Sequence, residues 1–435
     1  MRKIFYPIFT SKMSSSSINM NPSFLFSLQL TTSILTLGFV TPSSIFRFAA
    51  LPIQLALWYL TFQTSSEYMR VSWSQIYNAS CFILFVMNFL EMSLLRKWSF
   101  EANGPTLHPP SAQPLPLTHS NGKSSTKAGS KVQDTILNRL KFGLNSTFSL
   151  RDLNTPHEQR AVPPFSTTNP AYVPSKSTFL LSTALRFAIT YLFLDLAESL
   201  PPPPSTAPFS SSKVPVFTRL REMTGEEVAT RIGTSAMVWM VTYCLISCYL
   251  GFQSFILVGT NLTPVSSWRP LFGSFSNSYT LRGFWGKSWH QLLRKPLNNP
   301  TIWFVENGLG LKKGLVARYL KIFVTFFLSG FIHLLADLAA GITFSQSGAL
   351  RFYCVQVLGI ILEDGVQEIY RRAGGKEGKV WTKTGGFIWV VAFLLFWSSP
   401  SWFWPQVYRA GTRTEGEVRA YGKLAPFTVF GRFLG

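Results

Sequence analysis

The chain contains a series of apolar stretches, each close to twenty residues long, and these limit what it can fold into. About twenty mostly apolar residues are needed for a helix to cross the roughly 30 Å hydrocarbon core of a bilayer. The stretches lie near 23–40, 45–63, 79–95, 178–197, 235–259, 319–341, 351–370 and 385–404. In lipid a helix satisfies its own backbone hydrogen bonds. The sequence therefore predicts an all-α polytopic integral membrane protein with about eight transmembrane helices.

The composition agrees with a membrane protein and argues against two other classes. Charged residues are 14% of the 435 residues, whereas soluble domains have roughly 25%. The 40 Lys and Arg exceed the 19 Asp and Glu to give a net charge of +21, yet the mean hydropathy is positive at +0.19. A chain that is both basic and hydrophobic is a poor candidate for disorder or for a soluble nucleic-acid binder. We expect the lipid bilayer as a partner and no nucleic acid.

The charges of the loops predict an orientation. Residues 96–177 carry ten Lys and Arg against four acids, 261–317 seven against one, and 371–384 five against one, while 342–350 carry none. If the last five predicted spans cross the membrane one after another, the three basic loops share one face, which the positive-inside rule assigns to the cytosol. The basic residues near the N-terminus fit this scheme less well. No cleavable signal peptide or transit peptide stands out, so we expect a multi-pass protein of the endoplasmic reticulum.

These patterns divide the chain into four predicted regions. They are N-terminal membrane spans at 1–95, a polar Pro/Ser-rich flexible cytosolic loop at 96–177, a membrane domain with the candidate chemistry at 178–404, and a C-terminal tail at 405–435. A short amphipathic helix is predicted at Thr135–Leu144, lying on the membrane. Asp195 and Glu198, near the end of the fourth span, are interpreted as interfacial.

Two of the five histidines lie where an ionisable side chain is unusual. The other three lie in the polar loop and are interpreted as solvated: His108, His119 and His157. His333 lies inside the sixth span, where an ionisable group costs several kcal/mol unless it is paired or hydrated. Asp337 follows four residues later on the same helix face. It is therefore predicted to orient the imidazole and leave the other ring nitrogen free as a base. The alternative is a structural hydrogen bond between helices.

The second unusual histidine, His290, lies in a segment that mixes aromatic and cationic residues. This tryptophan segment, residues 268–297, contains Trp268, Arg269, Arg282, Phe284, Trp285, Lys287, Trp289, Arg294 and Lys295. It is predicted to form a cytosolic amphipathic or re-entrant element. Such a surface suits a donor with a phosphorylated head and an acyl tail, meaning an acyl-CoA. Attachment to anionic lipid head groups is the alternative.

Other polar residues give weaker indications. Gln356, Glu363 and Gln367 recur on one face of the seventh span, with Asp364 beside them. They line a polar cavity or form hydrogen bonds inside the bundle. The four cysteines lie in apolar stretches without metal-ligand spacing: Cys81, Cys244, Cys248 and Cys354. No Ser or Cys nucleophile elbow is evident. We therefore expect any group transfer to be direct, without a covalent enzyme intermediate. We also expect no metal and no bound cofactor.

Two motifs, in this order, resemble the wax-synthase-like branch of the membrane-bound O-acyltransferases. WRPLFGS and SYTLRGFWGKSWH occupy the tryptophan segment, and FFLSGFIH ends at His333 about 40 residues later. The resemblance covers about 265–345. It implies that the family's intramembrane histidine is His333 and that His290 closes the tryptophan motif, where related branches often have Asn. Fungal members of this branch acetylate terpenoid or meroterpenoid alcohols, and plant members make wax esters.

The resemblance predicts an acyl-CoA-dependent O-acyltransferase. The similarity to the fungal members favours an acetyltransferase of secondary metabolism that acts on a terpenoid or meroterpenoid alcohol. His333 would be the general base, and His290 would stabilise the oxyanion or position substrate. The residues expected to contact acyl-CoA are Arg282, Lys287, Arg294, Trp285 and Trp289. The enzyme alternatives are a long-chain-alcohol wax synthase and a sterol acyltransferase. A proton-coupled transporter using His333, Asp337 and Glu363, or a lipid-binding scaffold, are the non-enzyme alternatives.

Overall fold

The computed structural model describes residues 20–107, 133–201, 203–375 and 379–429, and helices make up most of them. The longer helices are α1 Pro22–Phe39, α2 Ile45–Tyr68, α3 Val71–Leu95, α4 Ile136–Phe148, α5 Lys176–Ser199, α6 Gly225–Gly259, α7 Arg294–Trp303, α8 Leu315–Ala339, α9 Ala349–Arg372, α10 Val380–Ser398, α11 Pro400–Gly411 and α12 Glu415–Tyr421. Single helical turns lie at Ala207–Phe209, Ser211–Lys213, Phe217–Arg219, Val265–Trp268, Phe275–Asn277, Leu281–Gly283, Phe284–Ser288 and Phe304–Gly308. Strands β1 Trp98–Ser99 and β2 Gly104–Pro105 form an antiparallel pair, with Trp98 opposite Pro105.

Within the described ranges, seven helices are long and apolar enough to cross a membrane. They are α1, α2, α3, α5, α6, α8 and α10. This confirms the prediction of an all-α polytopic membrane protein. The stretch predicted at 351–370 is α9, whose 24 residues extend about 36 Å at 1.5 Å per residue. This helix is long enough to cross but more polar than the others, because it carries side chains such as Gln356 and Glu363 that are buried inside the protein.

The region after α3 is less loop-like than its composition suggests. The expected amphipathic helix is present as α4, and it crosses α1 so closely that a Cβ at Gly143 would lie 2.4 Å from the Ile34 carbonyl oxygen. His157, expected to be solvated, is half-buried and meets the Trp98 ring edge-on at 5.8 Å. α4 thus packs against α1, and His157 against β1, through long-range contacts that composition does not encode. His108 and His119 lie outside the described residues.

A C-terminal segment is hydrogen-bonded to the start of α3 and the end of α5. The hydroxyl of Ser72, at the start of α3, donates to the Tyr421 carbonyl at 2.8 Å. The Glu198 carboxylate, at the end of α5, accepts the backbone N–H groups of Leu424 and Ala425, both at 2.9 Å. Glu198 therefore anchors the chain's last described residues. Asp195 does the same by accepting the Val429 N–H at 2.7 Å.

Four buried charged residues join the N-terminal helices to α7, and we call them the buried charge cluster: Glu91, Arg96, Asp152 and Lys295. The Lys295 Nζ lies 2.7 Å from the Asp152 Oδ1 and 3.5 Å from the Glu91 Oε2. The Arg96 Nη1 lies 3.2 Å from the Asp152 Oδ2 and 3.5 Å from the Glu91 Oε1. No side chain in the cluster is more than 7% exposed. Two formally positive and two formally negative side chains are thus grouped away from solvent.

The main aromatic core lies beside the tryptophan segment. At its centre Trp239 of α6 meets the Trp289 ring edge-on, with 4.6 Å between ring centroids. Phe403 of α11 packs on the same tryptophan at 5.7 Å. This core holds the tryptophan segment between α6, α9 and α11 and so fixes one wall of the site.

Candidate active site

A cavity of about 420 Å³ lies between the tryptophan segment, α7, α8 and α9. Ligand pockets are typically about 300–1,000 Å³. Of the predicted site residues, those that line it are Arg282, Trp285, Trp289, His290, Arg294 and His333. Lys287 and Asp337 are not in its wall. The two motifs, which lie some distance apart in the chain, therefore meet at one cavity.

His333 projects from α8 with both ring nitrogens engaged. Its Nδ1 lies 2.7 Å from the carbonyl oxygen of Ser329, one turn earlier. A carbonyl only accepts hydrogen bonds, so Nδ1 carries the proton and donates it. The lone pair of the neutral ring is therefore on Nε2, which lies 3.1 Å from the Tyr353 hydroxyl. The fold thus selects the tautomer in which Nε2 can act as a base.

Asp337 is not bonded to His333 as the sequence predicted. Its carboxylate instead accepts from the Ser347 hydroxyl at 2.6 Å, the Trp402 indole at 3.1 Å and the Gln406 amide at 3.0 Å. The spacing of four residues did place Asp337 on the face of His333. However, helical side chains lean toward the N-terminus, and the imidazole reaches back to the Ser329 carbonyl.

The link between Asp337 and the imidazole is indirect and runs through Trp402. The indole ring of Trp402 meets the His333 ring edge-on, with centroids 4.9 Å apart. Since Asp337 holds the N–H of that indole, it fixes the ring that packs against the imidazole. Trp402 lies 65 residues from Asp337, so local sequence pattern could not reveal the contact.

His290 lies at the end of the tryptophan motif, against the Phe272 and Trp289 rings at 6.0 and 5.4 Å. Its Nδ1 is buried and has no hydrogen-bond partner within the described chain. Burial lowers the pKa of the His290 imidazole well below its ordinary value, so the ring is neutral. A buried polar atom without a partner is unusual in folded proteins, and the His290 side chain also lines the cavity.

Helix α9 positions the tryptophan segment through its polar face. The Glu363 carboxylate accepts the Leu281 backbone N–H at 2.6 Å and the Trp389 indole N–H at 3.2 Å. The Gln356 amide oxygen accepts the Trp285 indole N–H at 3.2 Å. Glu363 and Gln356 therefore form hydrogen bonds inside the bundle, which is one of the two interpretations of this polar face.

Tyr353, on the same helix, is the site residue that the sequence analysis missed. It lies in a largely apolar stretch, where a single tyrosine does not indicate a functional site. The available signal was its position three residues before Gln356, which places the two side chains on one face of α9.

The predicted cationic residues differ in their surroundings. Arg282 is 42% exposed and is paired with Asp364, at 2.6 Å. Lys287 is exposed on the protein surface. Arg294 donates to the Gly286 carbonyl at 3.0 Å and to the Gln291 amide oxygen at 2.8 Å, and it forms no ion pair with any residue that the structure describes. Among the described residues, Arg294 is thus the cavity-lining cation that has no carboxylate partner.

Comparison with known proteins finds one matching family and several proteins named acetyltransferases. Residues 268–355, which include both histidines and Tyr353, match the Membrane bound O-acyl transferase family. The chain is 35% identical to Acetyltransferase aurG of Calcarisporium arbuscula over 325 residues, covering 73% of this chain and 76% of that protein. It is 31% identical to Acetyltransferase fsoF of Humicola fuscoatra over 405 residues, covering 88% and 95%. No solved structure matches the chain.

Proposed function

Because this chain belongs to the membrane bound O-acyl transferase family and is a multi-pass O-acyltransferase, we propose that it transfers an acetyl group from acetyl-CoA to the hydroxyl of a hydrophobic alcohol. The observation that carries this proposal is the His333 imidazole, held in the cavity wall with its lone pair on Nε2. An acyltransferase needs such a base to take up the proton of the attacking hydroxyl.

The choice of acetyl-CoA rests on the relatives, which are named acetyltransferases. The acceptor that we propose is a terpenoid or meroterpenoid alcohol of secondary metabolism. Support comes from the apolar part of the cavity wall, formed by Leu293, Leu297, Ile302, Ile322, Phe326 and Ile360. An apolar alcohol can reach a membrane-embedded site without leaving the lipid. We also propose residence in the endoplasmic reticulum, with catalysis in residues 178–404.

In the proposed reaction the acceptor oxygen attacks the thioester carbonyl carbon of the donor, and His333 is the final acceptor of the hydroxyl proton. The new C–O bond forms as the carbonyl electrons move onto oxygen. A ring N–H of the neutral His290 stabilises that oxyanion. When the oxyanion collapses, the C–S bond breaks and the CoA thiolate takes the proton from His333. Thioester and alcohol thus become ester and thiol.

We assign the binding of acyl-CoA to the tryptophan segment. Arg294 is our first choice for a phosphate contact, because it lines the cavity and has no carboxylate partner among the described residues. Arg282 would have to share its charge with Asp364. Trp285 and Trp289 would contact the donor from the cavity wall, and Lys287 would contribute from the surface.

Labelled acetyl-CoA tests the proposal directly. Membranes from a heterologous host that express the protein would receive labelled acetyl-CoA or palmitoyl-CoA with terpenoid, sterol or long-chain alcohols. We expect saturable transfer of acetyl label into organic-extractable ester with a terpenoid alcohol. Preferred palmitoyl transfer to a long-chain alcohol or a sterol would support the corresponding enzyme alternative instead. Protein that is inserted and folded but yields no ester with any pair would contradict the proposal.

Asp337 gives a prediction about positioning. Asp337→Asn weakens the hydrogen bond that holds Trp402, and a hydrogen bond to a charged group contributes about 1.5–3 kcal/mol. We therefore expect kcat for acetyl transfer to fall about tenfold, with KM for the donor unchanged. Trp402→Phe keeps a ring against His333 but removes the N–H, and it should lower kcat similarly.

The double variant provides the control for this route. If Asp337 acts through the Trp402 N–H, combining Asp337→Asn with Trp402→Phe should lower kcat no further than either change alone. Fully additive losses would contradict the indirect link.

A further inference from the structure

Tyr353 is in direct contact with the atom that acts as the base. Its hydroxyl oxygen lies 3.1 Å from the His333 Nε2. The two rings are stacked, with centroids 4.6 Å apart. Tyr353 is only 3% exposed and lines the same cavity. The hydroxyl therefore contacts the imidazole at the wall of the space in which substrates would bind.

The direction of this hydrogen bond follows from the tautomer. Since the His333 Nδ1 donates to the Ser329 carbonyl, Nε2 can only accept while the ring is neutral. The Tyr353 O–H is therefore the donor, and its proton lies on the lone pair of the base. The tyrosine oxygen keeps lone pairs of its own, which can accept a second hydrogen bond.

The Tyr353 ring is held on several sides. Its centroid lies 4.9 Å from that of Phe352, 5.4 Å from Trp402 and 5.8 Å from Trp285. Because close-packed aromatic groups move only with their neighbours, an acceptor hydroxyl would have to disturb this core to replace the phenol at Nε2. A hydroxyl that binds to the tyrosine oxygen leaves the core unchanged.

We propose that Tyr353 is a catalytic residue that relays the proton from the acceptor alcohol to His333. This inference rests on the proposed acetyl transfer. The acceptor O–H donates to the Tyr353 oxygen, and as the acceptor oxygen bonds to the thioester carbon its O–H bond breaks. The tyrosine gains that proton while its own moves to the His333 Nε2. The imidazolium then returns a proton to the CoA thiolate as the C–S bond breaks.

The test is Tyr353→Phe, which keeps the stacked ring and removes only the hydroxyl. A proton-transfer group contributes about 10²–10⁴-fold to rate. We expect kcat to fall at least about 100-fold, with KM for acetyl-CoA and for the alcohol nearly unchanged. If the phenol only occupies the base in the empty site, its removal frees Nε2, and turnover stays constant or rises. That result would overturn the relay.

Single-turnover rates in mixtures of H₂O and D₂O provide a second readout that does not depend on the variant. Two protons move together in the relay, so the wild-type rate should follow a curved dependence on the deuterium fraction. A linear dependence, indicating one transferred proton, would also overturn the proposal. Residual activity of Tyr353→Phe should show the linear form.

Matched variants separate the failure of the relay from the failure of the proposed function. Tyr243→Phe removes a hydroxyl from the same aromatic core, but Tyr243 does not line the cavity, and we expect wild-type turnover. Wild-type membranes that make no ester would refute the proposed function. Wild-type membranes that make ester, together with a fully active Tyr353→Phe variant, would refute only the relay.

Discussion

Replacing His333 with alanine is expected to lower kcat for acetyl transfer by about 10³-fold or more, while the protein still inserts and folds. Nε2 is the lone-pair nitrogen at this point of the cavity, and general acid–base catalysis contributes about 10²–10⁴-fold. His333→Gln should be as inactive as the alanine variant, because an amide has no basic nitrogen. The measurement is initial-rate ester formation, normalised to inserted protein.

His157→Ala is the matched control for this experiment. His157 is half-buried against Trp98 and does not line the cavity, so its removal should leave kcat unchanged. A His333→Gln variant with more than about a tenth of wild-type turnover would remove His333 from the base role. His333 would then have only a positioning role in the cavity wall.

The fold was predictable because its main signal is local. A stretch of about twenty apolar residues determines a membrane-crossing helix without reference to the rest of the chain. Seven of the predicted spans appear as apolar helices, and α9 appears as a helix of crossing length. The amphipathic α4 was also visible, since its periodicity is a local property.

The site was only partly predictable, because its hydrogen bonds join distant parts of the chain. His333 stood out as an ionisable group within a span, and His290 closed a motif. The acceptor of the His333 Nδ1 proton is a backbone carbonyl, however, which has no sequence signature. The partners of Asp337 lie up to 69 residues away. Residue spacing indicates which side chains share a helix face, but not what each one contacts across the bundle.

The buried charge cluster illustrates the same limit more strongly. Lys295 and Asp152 are separated by 143 residues. In the sequence, Lys295 is one of several basic residues of a surface-like segment, and Asp152 is one acid of a polar loop. Their mutual burial makes them structural rather than available to acyl-CoA phosphates. Composition alone places both lysines of the tryptophan segment on one surface. In the fold, Lys295 is buried whereas Lys287 is exposed.

Lys295→Met is predicted to destabilise the protein severely. Methionine preserves much of the side-chain length but removes the charge, which leaves Glu91 and Asp152 buried with only Arg96 to balance them. Breaking a buried ion pair in this way costs about 3–5 kcal/mol. We expect a large decrease in the yield of folded protein and in the melting temperature in mild detergent. Lys287→Met, on the exposed surface of the same segment, should change neither quantity.

Restoring the charge balance provides the decisive comparison. Combining Lys295→Met with Asp152→Asn removes one charge of each sign, so the remaining Glu91 and Arg96 are balanced. The double variant should therefore be more stable than Lys295→Met alone, although it lacks more hydrogen bonds. A double variant no more stable than the single one would mean that hydrogen-bond geometry, not charge balance, maintains the cluster. Because α7 also carries Arg294 and Thr301 of the cavity wall, recovery of stability should be accompanied by recovery of acetyl transfer.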